Sequence, residues 1–153
     1  MAREIERKFL VTTREWQSGD AQEYRQGYLN LDKERTVRVR IAGEAAYLTI
    51  KGITQGATRR EFEYAIPLAD ARELLTNLCH KPLIEKRRHK VRHGGLTWEV
   101  DEFFGDNAGL VVAEVELEDE DQPFERPPWL GEEVTDDPRY YNASLVDNPY
   151  RNW

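Results

Sequence analysis

Apolar and polar residues alternate along most of the chain, in eight segments at roughly 3–11, 22–31, 35–42, 45–53, 59–66, 83–92, 96–103 and 110–118. Alternation with a period of two over such lengths predicts strands. The joins carry turn chemistry: Leu31-Asp32-Lys33-Glu34, Ala42-Gly43-Glu44, Thr54-Gln55-Gly56, His93-Gly94-Gly95 and Gly105-Asp106-Asn107. Joins this short link antiparallel neighbours, so a meander is expected and not a parallel sheet. Pro67–Cys79 has a helical period instead. Its apolar positions are Leu68, Ala71, Leu74, Leu75 and Leu78, with Pro67 at the start and Pro82 beyond the end. Thr13–Gln17 reads as a short capped turn, and Pro138–Val146 as a C-terminal helix with an early proline. Asp121–Pro128 reads as a loop inside one domain spanning residues 1–153. The expected fold class is α+β, mainly β.

The two faces of these strands are unlike each other. Glu4, Glu6 and Lys8 share one face of the first segment, and Ile5 and Phe9 share the other. Arg38 and Arg40 oppose Val37, Val39 and Ile41, and Lys51 opposes Leu48 and Ile50. Glu61 and Glu63 oppose Phe62 and Tyr64, while Lys86, Arg88, Lys90 and Arg92 lie on one face. Glu99 and Asp101 oppose Trp98 and Val100; Glu114, Glu116 and Glu118 oppose Val115 and Leu117. For any single strand, a charged face turned to water is the ordinary reading. The set departs from it, because like charges stand at i and i+2, where they repel, and a solvated surface would intersperse signs.

Eight antiparallel strands are enough to close a barrel, which removes edges and creates an interior. With the charged faces inward, that barrel is inverted, polar within and apolar outside beneath the helices. Confined charges are costly unless they meet ligands or each other. Clustered carboxylates bind hard divalent cations, and clustered Arg and Lys grip phosphate oxygens. Both clusters in one tunnel describe a metal–polyphosphate site.

Composition narrows the partners. The net charge of −7 hides an asymmetry: residues 1–93 hold 19 Lys and Arg against 13 Asp and Glu, residues 94–153 hold 3 against 16. The fold must therefore bring a basic and an acidic group together, and an acidic chain argues against a broad nucleic-acid surface. A single cysteine, Cys79, excludes an internal disulfide framework and suits a reducing cytosol. No run of 18 apolar residues and no charged-then-apolar leader occur, so a soluble, cytoplasmic protein with no membrane partner is expected. His80, His89 and His93 lack zinc-ligand spacing, no glycine-rich phosphate loop of Walker type is present, and the four tryptophans read as packing elements. Apolar residues outside a small barrel could support a homodimer.

The ordered motifs resemble those of the CYTH superfamily, the triphosphate tunnel metalloenzymes. These are the E-x-E-x-K of Glu4, Glu6 and Lys8, then RQGYL at 25–29, RVR at 38–40 and LTIK at 48–51. REFEY at 60–64, EKRR at 85–88, EVELED at 114–119 and the tail PPWLGEEVTDDPRYYNASL at 127–145 follow in the family's order. The resemblance implies an eight-stranded antiparallel closed barrel with a few flanking helices, holding a small-molecule triphosphate and one or two Mg²⁺ or Mn²⁺ ions. It implies metal ligation by Glu4, Glu6, Glu114 and Glu116, and phosphate binding by Arg38, Arg40, Lys51, Lys86 and Arg88. Lys8 and Tyr28 would form a pair at the reacting phosphoryl group. Glu61, Glu63 and Asp101 would hold a second ion or orient the basic residues, and Lys90 and Arg92 would extend the phosphate-binding face. Short bacterial members with this tail resemble inorganic triphosphatases. An adenylate cyclase, a thiamine or nucleoside triphosphatase, and a non-catalytic polyphosphate-binding module are the alternatives.

Overall fold

All eight alternating segments become strands, with bounds within two residues of those expected. They are β1 (Arg3–Val11), β2 (Ala21–Asn30), β3 (Arg35–Ala42), β4 (Ala45–Gly52), β5 (Thr58–Ala65), β6 (Ile84–His93), β7 (Leu96–Phe103) and β8 (Val111–Glu116). The computed structural model describes residues 3–18 and 20–153. The strands hydrogen-bond in the order β5-β4-β3-β2-β6-β7-β8-β1, and β1 returns to β5 with Arg3–Ile5 opposite Thr58–Arg60. That last pairing closes an eight-stranded antiparallel barrel. At the β6–β7 hairpin, Gly94 and Gly95 both have positive φ (59° and 79°), the two-residue turn whose twist matches the flanking strands.

A ninth strand, β9 (Leu130–Glu133), was not anticipated from the sequence. The β1 edge opposite β8 is shared: Glu6 N–H donates to Ala57 O near β5, and Val134 N–H donates to Lys8 O beside β9. β5 covers only the first part of that edge, and β9 satisfies the backbone groups it leaves.

The apolar residues pack outside the barrel wall, as the inverted pattern requires. Ile5, Phe9, Trp98, Val100, Val115 and Trp129 form a cluster on the outer side of β1, β7 and β8, joined by Trp16 from the turn after β1. Helix α1 (Leu68–Asn77) covers β2–β4, burying Ala71 and Leu75 against Val39 and Ala46. It is shorter than the expected Pro67–Cys79, because the backbone leaves helical geometry at Leu78 (φ −122°); Cys79, just beyond, is still buried. Gly27 lets α1 approach β2. A Cβ there would lie 2.7 Å from Leu83, 2.9 Å from Cys79 and 3.1 Å from Leu75. Gly27→Ala is therefore expected to lose about 1–3 kcal/mol by overpacking, lowering the melting temperature by roughly 2–12 °C in a thermal unfolding scan.

The expected helix at 138–146 is broken. Pro138–Tyr140 makes one 3-10 turn, Tyr141 is extended (φ −70°, ψ 134°), and a short helix α2 (Ser144–Asp147) follows. The break is what lets this segment enter the barrel. Tyr140, Leu145 and Val146 pack against Tyr28, Ile84, Phe103 and Val112, which continue the inward faces of β2, β6, β7 and β8. One end of the interior is therefore apolar and filled by the chain's own tail. No helix among the described residues is long and apolar enough to cross a membrane.

Candidate functional site

The inward faces of the barrel strands surround a cavity of about 210 Å³ with an almost wholly polar lining. β1 supplies Glu4, Glu6 and Lys8, and β8 supplies Glu114 and Glu116. β3 contributes Arg38 and Arg40, β4 Lys51, β5 Arg59, Glu61 and Glu63, β6 Lys86 and Arg88, β7 Glu99, and β2 Tyr28. Within each strand these residues are two apart, so one choice of face places them all together. Asp101 stands behind the lining with no exposed surface.

The charges are sorted by wall. On β1 and β8 the register sets Glu6 opposite Glu116 and Lys8 opposite Glu114. Lys8 Nζ lies 2.8 Å from Glu114 and 3.2 Å from Glu6. Burial alone would lower the Lys8 pKa, but Glu114 and Glu6 outweigh it and hold the ammonium above its ordinary range. Lys51 bridges Glu4 at 3.1 Å and Glu61 at 3.2 Å, and Arg59 approaches Glu4 at 3.6 Å. Even so, carboxylates are in excess here. The Glu116 carboxyl is pushed up to about 7 by burial and by Glu4, Glu6, Glu61 and Glu99, and burial raises Glu99 as well.

The wall formed by β3 and β6 has the opposite surplus. Arg88 grips Asp101 with two hydrogen bonds, 2.8 and 2.9 Å, and Lys86 adds a third at 2.7 Å. Although burial opposes it, the charge on Arg88 and Lys86 draws the Asp101 carboxyl down to about 2. Lys86 falls to about 7, through burial and the repulsion of Arg88 and Arg40, which Asp101 only partly offsets. Arg40 has no ion-pair partner among the described residues; its Nε donates to Gln26 at 2.8 Å. Burial and the neighbouring Arg38 and Arg88 bring its guanidinium down to about 10. Arg38 donates through Nη2 to Thr49 at 3.2 Å, and its nearest carboxylate, Glu63, is 3.6 Å away. Its buried Nε has no partner. Both guanidinium groups line a wall that holds too few carboxylates to pair them, which is what an anion-binding wall requires.

The structure thus gathers every candidate named from sequence except two that were only extensions. Lys90 and Arg92 are exposed and lie outside the cavity lining, because β6 runs on beyond the barrel interior. Lys8 and Tyr28 both line the cavity, but no hydrogen bond joins them; the Lys8 ammonium takes the charged acceptors Glu114 and Glu6. Among the described residues no three His, Cys, Asp or Glu side chains form a ready-made coordination group, since Lys51 and Lys8 occupy Glu4, Glu6 and Glu114. Arg59 was missed although its signal was available, two residues before Glu61 on the same face; Glu99 was read on the charged face with Asp101 but given no role. Gln26 and Asn142 were also missed. Gln26 carries no charge, and Asn142 comes from the tail, where nothing in the pattern marks it.

Comparison with known proteins follows the same lines. The family model described as CYTH domain matches residues 2–146. An inorganic triphosphatase of Acetivibrio thermocellus is 52% identical over 160 aligned positions, covering 100% of this chain and 99% of that protein. An inorganic triphosphatase of Nitrosomonas europaea is 38% identical over 147 positions, covering 94% and 96%. A solved structure of an inorganic triphosphatase superposes with a TM-score of 0.66 at 36% identity, covering 93% of this chain and 96% of that one.

Proposed function

Because the chain belongs to the CYTH domain family, we propose that it hydrolyses inorganic triphosphate to diphosphate and phosphate inside its barrel, with Mg²⁺ or Mn²⁺. The observation that carries this reading is the sorting of charge across one cavity. Arg38, whose nearest carboxylate is 3.6 Å away, and Arg40, with no ion-pair partner among the described residues, stand on one wall, and an excess of carboxylates around Glu116 on the other. A metal–triphosphate complex has the same polarity, and its anionic and cationic parts would satisfy both walls. Two inorganic triphosphatases among the relatives, each aligned over nearly the whole chain, support the choice of substrate.

The residues divide the work by position. Arg38, Arg40, Lys86 and Arg88 would hold phosphate oxygens, with the planar guanidinium forks able to bind two oxygens each. Asp101 keeps Arg88 and Lys86 aimed into the cavity. Glu4, Glu6, Glu114 and Glu116 offer only carboxylate oxygens, the donors that hard divalent ions prefer. When bound there, such an ion would neutralise developing charge and lower the pKa of an attacking water. Lys8 lies between Glu6 and Glu114, where its charge would stabilise the oxygens of the transferring phosphoryl group. Tyr28 lines the same space and supplies a hydroxyl to orient water or substrate.

A substrate panel tests this. Inorganic triphosphate, thiamine triphosphate, ATP and diphosphate are assayed with Mg²⁺ or Mn²⁺, following both phosphate and cAMP. Fastest phosphate release from inorganic triphosphate, abolished by chelation and lowered by roughly 10²-fold or more in Glu6→Gln, is the expected result. Production of cAMP from ATP as the dominant activity would assign a cyclase instead. Tight triphosphate binding without phosphate release would assign a binding module.

A further inference from the structure

Asn142 is the one cavity-lining residue, among those described, contributed by the C-terminal segment. Its side-chain oxygen accepts from Lys86 Nζ at 2.9 Å and from Gln26 Nε2 at 2.9 Å. An ammonium has only hydrogens to offer, so Lys86 dictates which end of the Asn142 amide faces it. With Gln26 donating through its nitrogen, its own oxygen is left to accept from Arg40 Nε at 2.8 Å. One polar chain therefore leads from the tail to two cations on different strands, Lys86 on β6 and Arg40 on β3. Gln26 is wholly buried and Lys86 is 1% exposed, so water cannot replace a missing partner without rearrangement.

Resting on the triphosphatase reading, we infer that Asn142 is a positioning residue. By docking into the end of the barrel, the C-terminal segment fixes Lys86 directly and Arg40 through Gln26, and so completes the phosphate grip. Lys86 has two hydrogen-bond acceptors, Asp101 and Asn142, and shares the first with Arg88. Without Asn142 its ammonium is held from one side only, and the Gln26 amide is free to turn and release Arg40. Tyr140, Leu145 and Val146 make the apolar part of the docking, so the segment's place does not depend on the Asn142 amide alone.

The test compares Asn142→Ala, Gln26→Leu and the double variant with the wild-type chain. Steady-state hydrolysis of inorganic triphosphate is measured, together with calorimetric binding of inorganic triphosphate in the presence of chelator. Cations that hold phosphate in ground and transition state alike should give a KM and a Kd raised roughly tenfold to a hundredfold in each single variant, with kcat changed by less than about threefold. Because both substitutions break one relay, the double variant should be no more than about threefold worse than the weaker-binding single. Unchanged KM and Kd in a folded variant, a loss confined to kcat, or fully multiplicative losses would each overturn the inference. If Asn142→Ala does not fold, Asn142→Leu, which keeps the volume and removes the acceptor for Lys86 and Gln26, carries the same expected split. A wild-type chain that binds triphosphate without hydrolysing it would defeat the catalytic reading and leave the Kd comparison intact.

Discussion

Asp101→Asn will unfold roughly 6–12 °C below the wild-type chain, a loss of about 3 kcal/mol. Asp101 has no exposed surface and receives three hydrogen bonds from two cations. Removing one member of a buried pair costs about 3–5 kcal/mol, because the remaining charge stays buried without compensation. Two features place the loss at the lower end. Lys86, with its pKa already down to about 7, can shed its proton, and Arg88, which cannot, retains Glu99 at 3.3 Å and Glu114 at 3.6 Å.

The pH dependence follows with a definite sign. The folded Asp101 carboxyl titrates at about 2, below its ordinary 3.8. Its stabilisation is fully present above about pH 4 and is lost as pH falls toward 2, amounting to about 2 kcal/mol. The asparagine variant has no such group, so its melting temperature should fall less steeply over that window. A variant that melts within about 3 °C of wild type at neutral pH would show that Asp101 does not anchor this wall.

Asp101 was legible in the sequence as a charge on the same face as Glu99, and all eight barrel strands were legible in that manner. A period of two fixes which residues share a face, and short turns fix two runs of neighbours, β2-β3-β4-β5 and β6-β7-β8. The expected meander stops there: β1 pairs with β8 and β5 instead of β2, and β2 pairs with β6, so the closure that brings Glu4, Arg38, Lys86 and Glu114 together is set by long-range pairings that no turn marks. What alternation does not encode is where along a strand the interior ends. Lys90 and Arg92 keep the pattern of Lys86 and Arg88 yet lie in solvent. β9 escaped for a different reason: Leu130–Glu133 has no alternation, and its pairing depends on how much of the β1 edge β5 leaves free. The tail escaped because 138–146 opens with an early proline as a helix does, whereas an extended Tyr141 divides the run and brings Asn142 to the cavity. These are tertiary decisions, made by contacts between residues far apart in sequence, such as Ile5 with Thr58 and Gln26 with Asn142.

Arg38→Ala should separate activity from stability in the direction opposite to Asp101→Asn. Arg38 is 6% exposed, its Nε has no partner, and Glu63, its nearest carboxylate, has a side chain 41% exposed. A guanidinium held in this way contributes little to folding, since its burial is poorly compensated within the protein. Truncation is therefore expected to leave the melting temperature unchanged within about 3 °C or to raise it. Catalysis should suffer: kcat/KM for inorganic triphosphate is expected to fall roughly 10²- to 10³-fold, the size of effect seen when one preorganised donor to a developing anion is removed. Arg38→Lys keeps the charge but loses the planar fork, so it should recover only part of the activity, remaining about tenfold below wild type. Steady-state kinetics beside thermal melts of both variants checks the pair of outcomes. A folded Arg38→Ala protein within about threefold of wild-type kcat/KM would mean that the Arg38 guanidinium faces no substrate oxygen. A large drop in melting temperature would mean that Arg38 serves the fold after all. The joint result distinguishes a cation stored for a ligand from one that holds the barrel together, and the weak pairing with a half-exposed Glu63 at 3.6 Å favours the first class for Arg38.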